Sequence, residues 1–276
     1  MYSFEQQRRN SYNPLPAPTP YAYAPAPQPG HIEPLTFVLV HGSWADAGFW
    51  DGTAAELRRL GHTVYVPEYP GHGAEPNTDV THQEIDDAVA QYIISRNLRS
   101  IVLVGHSFGG SVVQKVAEQT ADRLRRIVFI DGFVVADGQS LGDQFPPASQ
   151  QFFRQLAEAS GNNTLMLPYP VFRDTFVNLA DGHLARALYS KIKPEPAKPL
   201  FEKLDLKRFF ALSTPKSYVY LTEDNVLPQG EGYGWHPHMS GRLGIFRLIK
   251  DHGDHMTTFC TQPWRIARRL VEAARD

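Results

Sequence analysis

Ser107 stands between Gly105 and Gly109 in Ile101-Val-Leu-Val-Gly-His-Ser-Phe-Gly-Gly, a setting that equips a serine hydroxyl for nucleophilic attack. Serine is a weak nucleophile until a positioned imidazole takes its proton, and that imidazole needs a carboxylate to hold it. The chain order Ser…Asp/Glu…His puts the base last. Of the eleven histidines, it selects His255 in Lys250-Asp-His-Gly-Asp-His-Met-Thr-Thr. His252 is the nearest competitor, but Gly253 and Asp254 favour a turn that presents His255. Asp224, just beyond the run Ser217-Tyr-Val-Tyr-Leu, is the expected acid, and Asp131, closing Ile127-Val-Phe-Ile, is the other carboxylate within reach. An oxyanion needs two converging backbone N–H donors. Phe108, directly after the serine, supplies one, and Ser43 in Leu39-Val-His-Gly-Ser-Trp supplies the other, with Gly42 allowing close approach. His41 reads as a structural residue of that loop. Gly42, Trp44, Phe49, Phe133 and Met256 are the candidates for substrate-pocket lining. His252 with His255, or His236-Pro-His, lacks a third convergent metal ligand, so neither metal nor cofactor is expected.

Such a serine must sit on a sharp turn between a strand and a helix. Four apolar residues run into Gly105, and Ser111–Glu118 follows with helical character, so its hydroxyl is expected at a sheet edge near a helix N-terminus. Further strand-like runs are Thr36–Val40, Thr63–Val66, Arg126–Ile130, Ser217–Leu221 and Gly244–Ile249. Between them lie helical candidates near 50–60, 82–96, 108–120 and 262–275. This alternation predicts an α/β fold with a mostly parallel sheet flanked by helices. Strand-like runs stop over about 135–214, where short amphipathic pieces near 148–158, 171–179, 183–191 and 199–210 carry eight phenylalanines. That interval is expected to be a helical cap, inserted after the sixth core strand. Its aromatics are expected to divide between the cap's own core and an apolar, water-excluding pocket.

Composition narrows the function classes. The formal net charge is −2 and basic residues are scattered, so nucleic acid is not an expected partner. No stretch reaches the length of a membrane span. The twin arginine near the start is followed by no apolar run, which reads against a secretory signal. With a single cysteine, Cys260, expected to be packed, the reading is a cytoplasmic protein without disulfides. Residues 1–34 hold eight of the 22 prolines and read as a flexible, extended Pro-rich N-terminal extension with little apolar surface to bury, with 35–276 as the folded domain. A docking partner for that segment and a homodimer are both compatible with the sequence.

Residues 35–276 resemble the α/β-hydrolase superfamily, and within it the plant methylesterase and hydroxynitrile-lyase group with its bacterial esterase relatives. The resemblance rests on Thr36-Phe-Val-Leu-Val-His-Gly-Ser-Trp with Phe49-Trp, Gly105-His-Ser-Phe-Gly-Gly, Thr222-Glu-Asp with Pro228, and Gly253-Asp-His-Met. It implies a Ser107–His255–Asp224 triad and an oxyanion hole of the Ser43 and Phe108 N–H groups. Lyases of the group carry Thr where this chain has Gly42 and Lys where it has Met256, so the resemblance implies the esterase branch. The Pro-rich segment and Gln229-Gly-Glu-Gly-Tyr-Gly-Trp-His-Pro-His depart from the shared pattern. The expectation is a serine hydrolase of a small or medium carboxylic ester. Alternatives are lactone or thioester hydrolysis, lyase or cyclisation chemistry at the same site, and a ligand-binding receptor or scaffold that retains a triad.

Overall fold

Near-continuous apolar, largely β-branched runs bury both faces of the central strands, as a sheet covered on both sides requires. A computed structural model of the chain describes residues 33–75, 77–230 and 232–275. The Pro-rich segment lies outside the described residues except for Glu33 and Pro34. In chain order the elements are β1 (Thr36–Val40), α1 (Asp51–Arg59), β2 (Thr63–Tyr65), α2 (His82–Ser95), β3 (Ile101–Ser107), α3 (Gly109–Thr120) and β4 (Leu124–Gly132). The inserted region follows, with α4 (Pro147–Ser160), β5 (Thr164–Leu165), α5 (Tyr169–Thr175), α6 (Gly182–Tyr189), β6 (Glu195–Pro196), α7 (Lys198–Phe201) and α8 (Lys207–Phe210). The chain then returns through β7 (Lys216–Leu221), β8 (Arg247–Asp251), α9 (Thr257–Thr261) and α10 (Pro263–Ala274).

Six strands form one sheet in the order β2-β1-β3-β4-β7-β8, every pairing parallel. Val38, Val40, Ile101, Leu103, Ile127 and Phe129 pack on one face with Ile85, Val89 and Ile93 of α2 and Val112, Val113 and Val116 of α3. Phe37, Leu39, Val102, Val104, Val128 and Ile130 pack on the other with Leu57 of α1 and Ile266 and Leu270 of α10. All seven residues of β3 are buried, since that strand has neighbours on both sides. The helix α2 starts at a capping box, in which the Thr81 side chain accepts from Glu84 N–H and the Glu84 carboxylate accepts from Thr81 N–H.

Four expectations are corrected. Among the described residues the cap follows the fourth strand, not the sixth, because β7 and β8 extend the sheet outward only after the insertion. The last strand is Arg247–Asp251 rather than Gly244–Ile249: Gly244 has φ +72° and Ile245 is 99% exposed, so the apolar run begins in a turn. The cap also holds a short antiparallel ribbon, β5 with β6, that the prolines around it concealed. Cys260, expected to be packed, is exposed.

Candidate active site

The chain turns sharply where β3 meets α3. Ser107 has φ +53°, a left-handed conformation that a side-chain-bearing residue adopts only under constraint. The turn closes because Gly105 has no Cβ, which would lie 2.4 Å from the Gly109 carbonyl oxygen. A Cβ on Gly42 would lie 2.6 Å from Ser107 Cβ, so the loop after β1 passes directly beside the serine. Behind the turn, the Ser111 hydroxyl donates to the Phe108 carbonyl (2.8 Å) and lies 2.9 Å from His82 Nε2. His82 Nδ1 in turn lies 2.8 Å from Asp86, whose carboxyl burial pushes up to about 6. This buried chain anchors the peptide that follows the serine.

His255 and Asp224 meet from two different loops. His255 Nδ1 donates to Asp224 Oδ2 at 2.5 Å, and both side chains are buried. That bond leaves Nε2 as the free basic nitrogen of the ring. Asp224 is itself ordered by Val226 N–H, which donates to its Oδ1 at 2.9 Å. Asp131, the alternative acid, lies behind this pair, accepts from Leu221 N–H at 3.1 Å and is hydrogen-bonded to Asp224. Burial and the neighbouring Asp224 hold its carboxyl well above the usual carboxylate range. His252, the competing base, is on the surface, with Nδ1 donating to Glu223 Oε2 at 2.5 Å.

Two aromatic residues enclose His255. Trp235 is stacked on its ring with centroids 5.7 Å apart and planes 13° apart, while Phe176 meets it edge-on at 5.1 Å. Neither was singled out from sequence. Trp235 lies in the Gly-rich segment that departs from the family pattern, which was the one signal available, and Phe176 was one of eight equivalent phenylalanines. His106 Nε2 donates to the His255 carbonyl at 3.1 Å. Its imidazole is held well below the ordinary histidine range by burial and by His255 beside it.

A narrow cavity over Ser107, with about 10 Å³ of free volume, is lined by Ser43, Trp44, Phe133, Leu141, Phe145 and Phe153, among others. Trp44 and Phe133 therefore stand where they were expected. Gly42 and Met256 do not line it. Gly42 lies beneath the serine, and Met256 faces an outer groove with Phe49 and Cys260. Phe49 stacks on His106 at 4.8 Å, which uses its face for packing. His41, read as a structural residue of its own loop, reaches beyond that loop: Nε2 donates to Glu68 at 2.7 Å, and the ring stacks on Tyr69.

His72, unremarked in the sequence, is buried against Glu195 of β6. Nδ1 faces the Pro70 carbonyl (3.1 Å) and Nε2 faces Glu195 Oε2 (3.0 Å), and both partners accept, so both ring nitrogens carry protons. Burial alone lowers a histidine pKa, but Glu195 outweighs it and raises that of His72. The sign follows by linkage: a raised folded pKa contributes stability that is complete below 6.5 and is lost as pH climbs through the folded value. Urea midpoints are expected to fall from pH 6 towards pH 9, with part of that slope absent in His72→Gln. An identical slope in the variant would disprove the assignment.

The alpha/beta hydrolase family model matches residues 37–263. A carbendazim-hydrolyzing esterase of Nocardioides sp. (strain SG-4G) is 35% identical over 153 residues, 52% of this chain and 63% of that protein. The chain thus aligns with less than two thirds of that relative's length. Salicylic acid-binding protein 2 of Nicotiana tabacum is 24% identical over 86% of this chain and 96% of its own. Among solved structures, an extracellular alpha/beta-hydrolase from a Paenibacillus species superposes with a TM-score of 0.87 at 59% identity, over 88% of this chain and all of the other. That hydrolase is described as sharing structural and functional homology with tobacco salicylic acid binding protein 2. With an all-parallel sheet, a serine on the β3–α3 turn and a family match across residues 37–263, the chain belongs to the alpha/beta hydrolase family.

Proposed function

We propose that the protein is a serine hydrolase of small carboxylic esters that works through an acyl-enzyme. The observation that carries this reading is the buried 2.5 Å bond from His255 Nδ1 to Asp224, in a site that also holds Ser107 on a left-handed turn. His255 Nε2 takes the Ser107 proton as Oγ attacks the ester carbonyl. The tetrahedral oxyanion is held by the Ser43 and Phe108 N–H groups. The imidazolium then protonates the leaving alcohol. Water, deprotonated by the same ring, cleaves the acyl-enzyme to release the acid and restore Ser107. No cofactor enters these steps. The names of the Nocardioides esterase and the homology described for the Paenibacillus hydrolase support ester chemistry at this site.

The aromatic walls around Ser107 favour short acyl chains. Among p-nitrophenyl acetate, butyrate and octanoate, the acetate is expected to be turned over best. Phe145→Ala should shift the preference towards octanoate by about tenfold, since removing a ring's worth of apolar volume is worth a few kcal/mol of packing. A p-nitrophenyl phosphonate should label one residue, Ser107, read by peptide mass spectrometry. Folded protein that hydrolyses none of the three esters and takes no label would overturn the assignment.

A further inference from the structure

The loop that follows β1 is not self-supporting. Trp44, the residue after the proposed oxyanion donor Ser43, has φ +58°, and a non-glycine residue persists there only when its surroundings over-determine it. The surroundings that hold it belong to the cap ribbon. Trp44 N–H donates to Glu195 Oε2 of β6 at 2.7 Å, and Trp44 Nε1–H donates to the Leu165 carbonyl of β5 at 2.9 Å. These contacts span 151 and 121 residues of chain. Glu195 is fully buried, and its Oε2 also receives His72 Nε2–H, while its Oε1 has no hydrogen-bond partner among the described residues. A carboxylate buried with one oxygen unpartnered is a poor device for stability. Retaining it against the loop that carries Ser43 points to a task in which the placement of that acceptor matters more than its cost.

We propose that Glu195 is a positioning residue of the cap: it fixes the Trp44 peptide, and through it aims the Ser43 N–H at the oxyanion. This rests on the ester-hydrolase reading above. Closing the cap ribbon against the loop and completing the oxyanion hole then become one event. A cap displaced from Trp44 leaves Ser107 and His255 intact but the oxyanion with one aimed donor instead of two.

The test is a set of substitutions read with p-nitrophenyl acetate and with a trifluoromethyl ketone, which forms a tetrahedral oxyanion on the serine. Glu195→Gln keeps an oxygen acceptor for Trp44 N–H and should retain kcat within about threefold. Glu195→Leu removes the acceptor and Glu195→Asp withdraws it by one methylene. Both should lose about 10- to 100-fold in kcat with KM within about threefold, somewhat less than deleting an oxyanion donor outright. Affinity for the trifluoromethyl ketone should fall by the same factor as kcat, which a general loosening of the fold would not produce. If Glu195→Leu does not fold, the comparison of Glu195→Asp with Glu195→Gln decides alone. A Gln variant as impaired as the Asp variant, or an Asp or Leu variant with unchanged kcat, overturns the proposal. Ser107→Ala run alongside separates the two readings. Activity surviving in that variant overturns ester hydrolysis at this serine and the positioning role with it, while activity lost there but kept in Glu195→Leu overturns the positioning role alone.

Discussion

Ser107→Ala is expected to lower kcat on p-nitrophenyl acetate by at least about 10³-fold, to a level set by the remaining binding and oxyanion groups. The loss should come without loss of fold. Ser107 holds a left-handed conformation that Ala tolerates no worse than Ser, and its hydroxyl contributes nothing to the two main apolar clusters. Circular dichroism and the thermal midpoint should therefore match the parent to within a few degrees. The measurement is steady-state hydrolysis with active-site titration of the parent. An alanine variant that keeps a tenth or more of parental kcat would remove Ser107 from the mechanism.

The second large effect separates two buried aspartates. Asp224→Asn should cost about 10³- to 10⁴-fold in kcat, because an amide facing His255 Nδ1 favours the ring tautomer whose Nε2 carries a proton and cannot accept one from serine. Asp131→Asn should cost less than about tenfold at neutral pH. Its carboxyl is pushed well above the usual range by burial and by Asp224, so its neutral acid and the amide are close equivalents, each able to donate to Asp224. The linkage sign agrees: a folded pKa raised for a carboxyl subtracts stability as pH rises above the unfolded value near 4. Asp131→Asn should thus be at least as stable as the parent at pH 8, by urea titration. Equal losses of activity in the two variants would mean that the aspartates act as one shared acid.

Much of the site was legible in the residues because its chemistry is tied to local geometry. A glycine-flanked serine after four apolar residues has few alternatives to a strand–turn–helix, and the alternation of β-branched runs with amphipathic segments left few alternatives to a covered parallel sheet. The order of serine, acid and base along the chain then narrowed eleven histidines to one. Pocket lining was less legible: Trp44 and Phe133 line the cavity over Ser107, while Gly42, Phe49 and Met256 do not, because adjacency to a loop says nothing of which way a side chain packs.

What the amino-acid sequence determined by itself was the fold class, the helices of the core and the residues able to form a nucleophile, base and acid. These depend on periodicity, turn chemistry and residue type, all readable within short windows of chain. Tertiary structure alone decided that Asp224 rather than Asp131 faces His255, that Trp235 and Phe176 enclose its ring, and that Glu195 reaches Trp44 across 151 residues. Those contacts join elements far apart in the chain. Their partners are set by how strands and cap close on one another, and the desolvation that makes a buried carboxyl keep its proton exists only once that closure has excluded water.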